Sequence, residues 1–213
     1  FAFDGDADRV IVVDEKGVVR DGDYILALFA KEMKSNEQLN GNAIVATSMS
    51  NGGLKIFCNE NGIEFLETQV GDKYVLEALL DNDFSLGGEQ SGHIIRRDFS
   101  DWGDGTLNAL LVSRILNELR INNSGFKVSE AFDLFIPLVQ KHSKVPASHK
   151  AMASDNREII EATEKELAIL GNESRIIIRP SGTEPVVRIT VEGKLESEVV
   201  NSMERLEKIV ESV

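Results

Sequence analysis

The stretch AIVATSMSNGGLKIFCNENGIEFLETQVGDKYVLEALLD, residues 43–81, alternates between two apolar patterns. Residues 43–47 and 63–67 have short patterns of the kind that forms strands, whereas residues 53–61 and 73–81 carry apolar residues at helical spacing. Strands that alternate with helices predict a mostly parallel sheet with helices on its faces. The stretch therefore assigns this part of the chain to the α/β class.

The same alternation continues on both sides of this stretch. Val10–Val13 is a β-branched run that predicts a strand, and Gly22 opens a segment with apolar residues at helical spacing. Downstream, residues 84–88 predict a short buried strand, and residues 106–119 predict a helix behind a Gly-Asp-Gly start. The first α/β unit is expected to close there, with polar residues 122–125 marking a boundary region.

The last third of the chain has a different element order. The patterns predict strands over 135–139, 175–179 and 186–192, and amphipathic helices over 155–170 and 196–210. Three strands and two helices are typical of a small α+β domain. The expected fold is therefore α/β: a mixed α/β domain followed by a small α+β C-terminal domain.

Charge and composition exclude several kinds of partner. The 213 residues carry 36 acidic and 23 basic side chains, a net charge of −13, and they contain no clustered basic run for a nucleic-acid backbone. No apolar stretch approaches the roughly 18 residues that a membrane span needs. The one cysteine, Cys58, cannot form an internal disulfide. We therefore expect no nucleic-acid partner, no membrane contact and a cytoplasmic location.

The chain starts with Phe1-Ala2-Phe3-Asp4, an apolar strand-like run without an initiator methionine. This start suggests that the sequence begins inside a structural element. We therefore expect it to be a piece of a longer protein.

The first candidate site is Asp4-Gly5-Asp6-Ala7-Asp8-Arg9, which places three carboxylates at alternating positions on a turn between strand-like runs. Oxygen ligands on one tight turn suit a hard cation such as Mg²⁺. Taken alone, the pattern fits a solvated acidic turn equally well. An EF-hand is set aside, because Arg9 occupies the position where its loop needs glycine and the flanks are not helical.

The second candidate site is Gly87-Gly88-Glu89-Gln90-Ser91-Gly92-His93. Glycines around an acid, an amide, a hydroxyl and an imidazole allow the backbone to present polar groups to a polyol. Glu89 and Ser91 are the candidates for hydrogen bonds to sugar hydroxyls. An ordinary turn with a surface histidine is the alternative, and this motif alone does not exclude it.

The third candidate site is Arg179-Pro180-Ser181-Gly182-Thr183-Glu184-Pro185, with Arg188 shortly after it. Two guanidinium groups, two hydroxyls and backbone amides next to a glycine can bind a phosphate dianion. The alternative is that both arginines are surface charges at strand ends. That alternative explains less, because the chain has a net charge of −13 and yet concentrates at this loop the hydrogen-bond donors that an anion needs.

Together, and in this order, the three loops resemble the α-D-phosphohexomutase superfamily over essentially the whole chain. The members of this four-domain family share a metal loop D-G-D-x-D-R, a sugar loop G-E-x-S-G-H and a phosphate loop R-x-S-G-T-E-P. Within it, the sugar and phosphate loops, together with Met49-Ser50-Asn51 and Val70-Gly71-Asp72-Lys73-Tyr74-Val75, are most similar to the bacterial phosphoglucosamine mutase branch. Lys73 stands where that branch commonly has arginine.

The resemblance implies reversible transfer of phosphate between the 6- and 1-positions of glucosamine, through a phosphoserine enzyme and a bisphosphorylated sugar. It implies that Asp4, Asp6 and Asp8 hold Mg²⁺, that Arg9 adds positive charge beside the phosphoserine, and that His93 is a candidate for proton transfer or for a structural hydrogen bond. The implied substrate-binding residues are Glu89, Ser91, His93, Arg179, Ser181, Gly182, Thr183 and Arg188.

The resemblance also divides the chain into three parts. Residues 1–15 correspond to a remnant of the metal-binding second domain, 16–134 to the α/β sugar-binding third domain, and 135–213 to the α+β phosphate-binding fourth domain. The partners it implies are a hexosamine phosphate, the bisphosphorylated intermediate, the missing N-terminal half of the same protein and a second copy in a homodimer.

The nucleophile of the family lies on a T-x-S-H-N-P loop, which this sequence does not contain. Ala147-Ser148-His149-Lys150 imitates part of it but lacks the Asn-Pro, so Ser148 is interpreted as a surface residue. The chain alone is therefore expected to be inactive.

Three other functions compete with this interpretation. A phosphomannomutase or phosphoglucomutase of the same superfamily would differ in the sugar loop, where Gln90 is the expected discriminator. A non-catalytic sugar-phosphate-binding module would keep the loops without the nucleophile. A haloacid-dehalogenase-like phosphatase would use Asp4 as nucleophile, but it leaves the loop at residues 179–185 unexplained.

Overall fold

A computed structural model of the chain describes residues 1–146, 156–181 and 184–212. The chain divides into two compact units, Phe1–Ile136 (unit 1) and Pro137–Val213 (unit 2).

Unit 1 is built from short strands that alternate with helices. In chain order its elements are β1 (Ala2–Phe3), β2 (Val10–Val13), β3 (Val19–Arg20), α1 (Gly22–Ser35), a 3₁₀ turn (Asn40–Asn42), β4 (Ala43–Thr47), α2 (Gly52–Glu60), β5 (Glu64–Thr68), α3 (Asp72–Asp81), β6 (Leu86–Gly88), β7 (Ile94–Arg96), α4 (Gly105–Asn122) and α5 (Val128–Phe132).

The main sheet of unit 1 has the strand order β5-β4-β6-β7. Strand β4 pairs in parallel with both β5 and β6, and β7 is an antiparallel edge strand. The predicted mostly parallel sheet is therefore confirmed. All five residues of β4 are buried, since Ile44 and Ala46 pack in the cluster that includes α1 and α2, whereas Ala43 and Val45 pack against α3.

Helix α1 shows how sequence pattern and burial agree. Asp21 caps its N-terminus, because its side chain accepts a hydrogen bond from the Asp23 amide at 3.1 Å. Ile25, Phe29 and Met33 recur at helical spacing and are fully buried. The apolar face of α1 thus lies in the main core of unit 1.

The strands β1, β2 and β3 form a small antiparallel sheet of their own. Val10 and Val12 of β2 join the main core cluster. Two polar contacts fix the turn after β2: Arg20 pairs with the buried Asp14 at 2.9 Å, and Glu15 accepts from the Ser129 amide at 2.9 Å. Strand β2 and the turn after it are therefore anchored to the packed core of unit 1.

Unit 2 is an antiparallel sheet covered by two helices. Its elements are β8 (Val139–Pro146), α6 (Arg157–Leu170), β9 (Arg175–Pro180), β10 (Val186–Gly193) and α7 (Glu196–Ser212), and the strand order is β8-β10-β9. Val187, Ile189 and Val191 of the central strand pack with Val199 and Leu206 of α7. The other sheet face carries the alternate residues of β10.

The strand predicted over 135–139 is wrong at its start, because β8 begins at Val139. Phe135 instead stacks on Tyr24, with ring centroids 4.8 Å apart, within unit 1. Pro137 cannot donate a hydrogen bond to a ladder, which explains why strand pairing begins only after it. The short elements β3, β7 and α5 were not predicted, since two to five residues carry too little periodicity.

Among the helices in the described residues, none combines the length and the apolar character needed to cross a membrane.

The buried carboxylate of Glu166 provides a test of unit 2 packing. Arg205 donates to it twice at 2.7 Å and Ser202 once at 2.7 Å, and the hydrogen bond from Arg205 is the main cause that lowers the pKa of Glu166. We predict that Arg205→Ala lowers the free energy of unfolding at pH 7 by about 1–3 kcal/mol, because a buried acceptor loses its donor. Urea unfolding measures this loss.

A carboxyl group whose pKa is lowered by folding stabilises the protein above its unfolded pKa of about 4.3, and the stabilisation is lost as the pH falls through the folded pKa. The stability difference between Arg205→Ala and the unmodified protein should therefore shrink in acid. Arg157→Ala is the control, because its pair with Glu161 on α6 is exposed and should contribute less than about 0.5 kcal/mol. Equal losses of unfolding free energy in both variants would contradict the stabilising role of the Arg205 contact with Glu166.

Candidate functional site

The loop at residues 4–9, the metal loop, connects β1 to β2. Oxygen atoms of Asp4, Asp6 and Asp8 all lie within 4.8 Å of one another. Ala7 has a φ of 60°, a left-handed conformation, and the Arg9 amide donates to Asp4 Oδ1 at 3.3 Å. The local backbone therefore directs all three carboxylates to one point.

The electrostatics of the metal loop favour a cation. Burial raises the pKa of Asp8, and the neighbouring Asp4 and Asp6 raise it further, while His93 opposes the shift. Asp8 Oδ1 is buried and has no hydrogen-bond partner among the described residues. A divalent cation would relieve the repulsion and give this oxygen a partner. An all-oxygen ligand set on one tight loop fits Mg²⁺.

The loop at residues 87–93, the sugar loop, joins β6 to β7. The Glu89 amide donates to the His93 carbonyl at 2.9 Å, and the Gly92 amide donates to the Glu89 carbonyl at 3.0 Å. The Val10 amide donates to the Gly92 carbonyl at 3.2 Å, and Arg9 and His93 form an antiparallel bridge. Backbone hydrogen bonds thus join the sugar loop directly to the metal loop.

Glu89 lies at the carboxyl edge of the parallel strands, where ligands of α/β folds bind. The Gly71 amide, at the start of α3, donates to Glu89 Oε1 at 3.1 Å. The Ser91 hydroxyl lies 3.4 Å from Glu89 Oε2 and is exposed. The carboxylate is therefore held by backbone on one side, with the Ser91 hydroxyl on the other.

Gln90 lies on the side of the sugar loop that packs against α1. The Gly22 amide donates to the Gln90 carbonyl at 3.0 Å. A Cβ atom at Gly22 would lie 2.0 Å from the Glu89 carbonyl oxygen, so only glycine permits this approach. The Gln90 backbone thus anchors the loop to the helix. The expected role of Gln90 as the sugar discriminator stays a prediction.

His93 is packed behind the metal loop. Its Nε2 atom lies 3.6 Å from Asp8 Oδ2, and the residue is only 6% exposed. A Cβ atom at Gly103 would lie 2.4 Å from the same Nε2, so the glycine backbone covers the ring. The structure brings together His93 and Asp8, two residues that lie far apart in the sequence.

Sequence reasoning missed the segment 103–105 as a component of the site. The Gly105 amide donates to the Ala7 carbonyl of the metal loop at 2.9 Å, while Gly103 covers His93 of the sugar loop. Asp104 caps α4 by accepting from the Leu107 amide at 2.8 Å. The Gly-Asp-Gly pattern was recognised only as a helix start. Two glycines around a capping residue could also have indicated close backbone packing.

The phosphate-loop residues lie in unit 2. Arg179 is on β9 directly opposite Arg188 of β10, and the buried Ser181 donates its amide to the Val186 carbonyl at 2.9 Å. Glu184 accepts from Arg188 at 2.8 Å. The structure therefore brings the two arginines together. Gly182 and Thr183 lie outside the described residues, as does Ser148.

Comparison with protein families gives two matches along the chain. The family model described as "Phosphoglucomutase/phosphomannomutase, alpha/beta/alpha domain III" matches residues 21–136. The model described as "Phosphoglucomutase/phosphomannomutase, C-terminal domain" matches residues 141–208.

Several curated proteins are similar to the chain, all named phosphoglucosamine mutase. The protein from Bifidobacterium adolescentis is 44% identical over 98% of this chain and 44% of its own length. Those from Caldicellulosiruptor bescii and Clostridium perfringens are 42% and 43% identical, over 99% and 100% of this chain and 46% and 47% of their lengths. The chain thus spans less than half the length of these relatives.

Solved structures with the same fold include an N-acetylglucosamine-phosphate mutase of the α-D-phosphohexomutase superfamily, in its product complex. It has a TM-score of 0.80 and 20% identity over 98% of this chain and 48% of its own. Aspergillus fumigatus N-acetylphosphoglucosamine mutase, in complex with GlcNAc-6P and magnesium, has a TM-score of 0.80 and 22% identity over 99% and 48%. At these identities the likeness establishes the fold.

The packing of Gly103 on His93 gives a direct test of the site geometry. We predict that Gly103→Ala lowers the free energy of unfolding by about 1–3 kcal/mol, because the new methyl group overlaps the buried imidazole. Amide NMR shifts should change at residues 4–9, since the ring contacts Asp8. Gly125→Ala is the matched control, because its nearest neighbour would be 3.7 Å away. Similar effects of both variants would contradict the geometry.

Proposed function

Because the chain belongs to the phosphoglucomutase/phosphomannomutase family of α-D-phosphohexomutases, we propose that it carries the metal, sugar and phosphate loops of a phosphoglucosamine mutase. This enzyme would interconvert glucosamine 6-phosphate and glucosamine 1-phosphate through a phosphoserine and a bisphosphorylated sugar. The observation that carries the proposal is the direct hydrogen bonding of the metal loop to a sugar loop that presents Glu89 and Ser91.

Asp4, Asp6 and Asp8 are the proposed ligands of Mg²⁺. When bound, the ion supplies positive charge against the negative charge that develops on a transferring phosphoryl group. The convergence of the three carboxylates and the magnesium complex of the Aspergillus fumigatus neighbour support this assignment.

Arg9 is proposed to add a second positive charge near the transferred phosphoryl group. Its guanidinium lies 3.7 Å from both Asp4 and Asp8, and about half of the side chain is exposed. A guanidinium is charged at every physiological pH and offers several donors to phosphate oxygens. The two carboxylates hold it at the edge of the metal loop.

Glu89 and Ser91 are proposed to bind the sugar. A carboxylate accepts hydrogen bonds from hydroxyl groups or an ammonium group, and a serine hydroxyl both donates and accepts. These two side chains can therefore hold a hexosamine in either of two orientations, as a mutase requires. The amide of Gly71 fixes the carboxylate before the sugar arrives, which lowers the ordering cost of binding.

Arg179, Ser181, Gly182, Thr183 and Arg188 are proposed to hold the phosphate that is not reacting. Binding energy from a remote phosphate orients the sugar and can serve the transition state at the reacting end. The cross-strand pairing of Arg179 with Arg188 supports a shared anion.

His93 is proposed to orient Asp8. Its Nε2 faces the Asp8 carboxylate and the residue is buried, so it is poorly placed to exchange protons with a sugar in this arrangement. The role in proton transfer that the resemblance allowed is therefore the less favoured of the two.

The phosphoserine is proposed to come from polypeptide beyond these 213 residues, since they contain no T-x-S-H-N-P stretch. The 213 residues should then bind ligand without turnover. A non-catalytic sugar-phosphate-binding module would give the same binding result. The two functions can be distinguished only by adding the domains that precede the matching region in the relatives. Mutase activity in that mixture would support the enzyme, and its absence the binding module.

Phosphorus NMR tests the binding function directly. The 213-residue protein with Mg²⁺ should shift or broaden the signal of glucosamine 6-phosphate more than that of glucose 6-phosphate, because Glu89 attracts an ammonium group. Arg179→Ala should abolish the response, since it removes a charged phosphate donor.

Arg157→Ala, which removes an exposed arginine from α6, is the matched control and should respond like the unmodified protein. Equal responses to both sugars would support a phosphohexomutase but not a specificity for glucosamine. A response that survives Arg179→Ala would overturn the assignment of the phosphate loop.

Gln90 offers a separate prediction. Because the sugar loop is held to α1 through the Gln90 carbonyl, Gln90→Met keeps this hydrogen bond and should change the dissociation constants of both sugar phosphates by a similar factor, within about twofold. The same NMR titrations give the ratio of the two dissociation constants. A ratio that changes severalfold would assign sugar discrimination to the Gln90 side chain and contradict a role of its backbone alone.

A further inference from the structure

Three cations stand in one row across the sheet of unit 2. The strand register places Arg188 of β10 opposite Lys144 of β8 on one side and opposite Arg179 of β9 on the other. Directly opposite residues of antiparallel strands have their side chains on the same face, with Cβ atoms about 4.5–5.5 Å apart. Lys144, Arg188 and Arg179 therefore form a continuous cationic row.

Such a row is electrostatically unfavourable by itself. Like charges directly opposite each other on a sheet destabilise it, and the chain has 36 acidic side chains that could have supplied partners. Among the described residues, Glu184 is the carboxylate that contacts the row, at 3.1 Å from Lys144 and 2.8 Å from Arg188. Three cations and one carboxylate leave two positive charges in excess.

Glu184 is an anion at neutral pH. The hydrogen bond from Lys144 is the main cause that lowers the pKa of Glu184, and Arg188 contributes to the same shift. The carboxylate thus orients both cationic side chains without neutralising the row. A phosphate monoester, which carries about −1.5 to −2 charges at pH 7, matches the remaining excess.

We propose that Lys144 is a further phosphate-binding residue, which adds a third cation to Arg179 and Arg188. This inference rests on the proposed function of residues 179–188 as the phosphate loop. Glu184 holds the Lys144 ammonium beside Arg188, so that an arriving phosphate meets donors from all three strands. Lys144 keeps 56% of its side chain exposed, which leaves its head group free to reach an anion.

The competing interpretation is that Lys144 only positions Glu184. In that case Lys144→Ala would not weaken phosphate binding, whatever its effect on the free energy of unfolding, because Arg188 still contacts Glu184. Affinity for phosphate therefore distinguishes the two roles.

The chain provides a matched control for this test. Lys141 lies on the same strand, pairs with Glu196 at 3.2 Å and is exposed to a similar degree. Its distance of three residues from Lys144 places it on the opposite face of the sheet. Lys141→Ala removes the same charge from the chain without removing it from the row.

Dissociation constants for glucosamine 6-phosphate and inorganic phosphate are to be measured by phosphorus NMR, with urea unfolding as a check on folding. Lys144→Ala should weaken the binding of both anions about three- to tenfold, as expected for one half-exposed charged hydrogen bond. Lys141→Ala should stay within about twofold, and Lys144→Arg should retain most of the affinity because it keeps the charge.

Two failures can be told apart. If Arg179→Ala loses binding but Lys144→Ala binds as well as Lys141→Ala, the role of Lys144 is overturned and the phosphate loop stands. If the unmodified protein does not respond to either anion, or if the response survives Arg179→Ala, both the loop assignment and the role of Lys144 are overturned.

Discussion

The backbone of residues 9–10 lies directly against the backbone of residues 92–93, and the arrangement of the site depends on this contact. The Val10 amide donates to the Gly92 carbonyl, and a Cβ atom at Gly92 would lie 2.4 Å from the Val10 carbonyl oxygen. Gly92 has a φ of 95°, which glycine adopts at little cost. Because the two loops touch through main chain, their side chains cannot shift independently. Asp8 is thereby held beside His93.

Charge is distributed unevenly in a chain of net charge −13. Three carboxylates converge on the metal loop, and three cations align on the sheet of unit 2. Both arrangements oppose folding, since like charges repel. Natural sequences retain such local conflicts mainly at functional sites. The two conflicts suit ligands of opposite sign, a divalent cation for the carboxylates and a phosphate dianion for the cationic row.

Much of the fold was predictable because its longer elements carry clear periodicity. The strand Ala43–Thr47 was predicted with its observed bounds, and the helices α1 and α4 were recognised from their apolar spacing. Short elements such as α5 were not predicted. Phe135 was wrongly placed in a strand, because its apolar character reflects packing on Tyr24. The site residues were found by motif. Their pairings, such as His93 with Asp8 and Gln90 with Gly22, depend on tertiary contacts that no local pattern encodes.

We expect the metal loop and the sugar loop to act as one site. Paramagnetic broadening by Mn²⁺ at substoichiometric concentration measures it most directly, because the ion broadens only amides near its ligands. The amides of residues 4–9, 89–93 and 103–105 should broaden together, and Asp8→Asn should remove the effect from all three segments. Broadening confined to residues 4–9, or spread over the acidic surface and unchanged in Asp8→Asn, would contradict it.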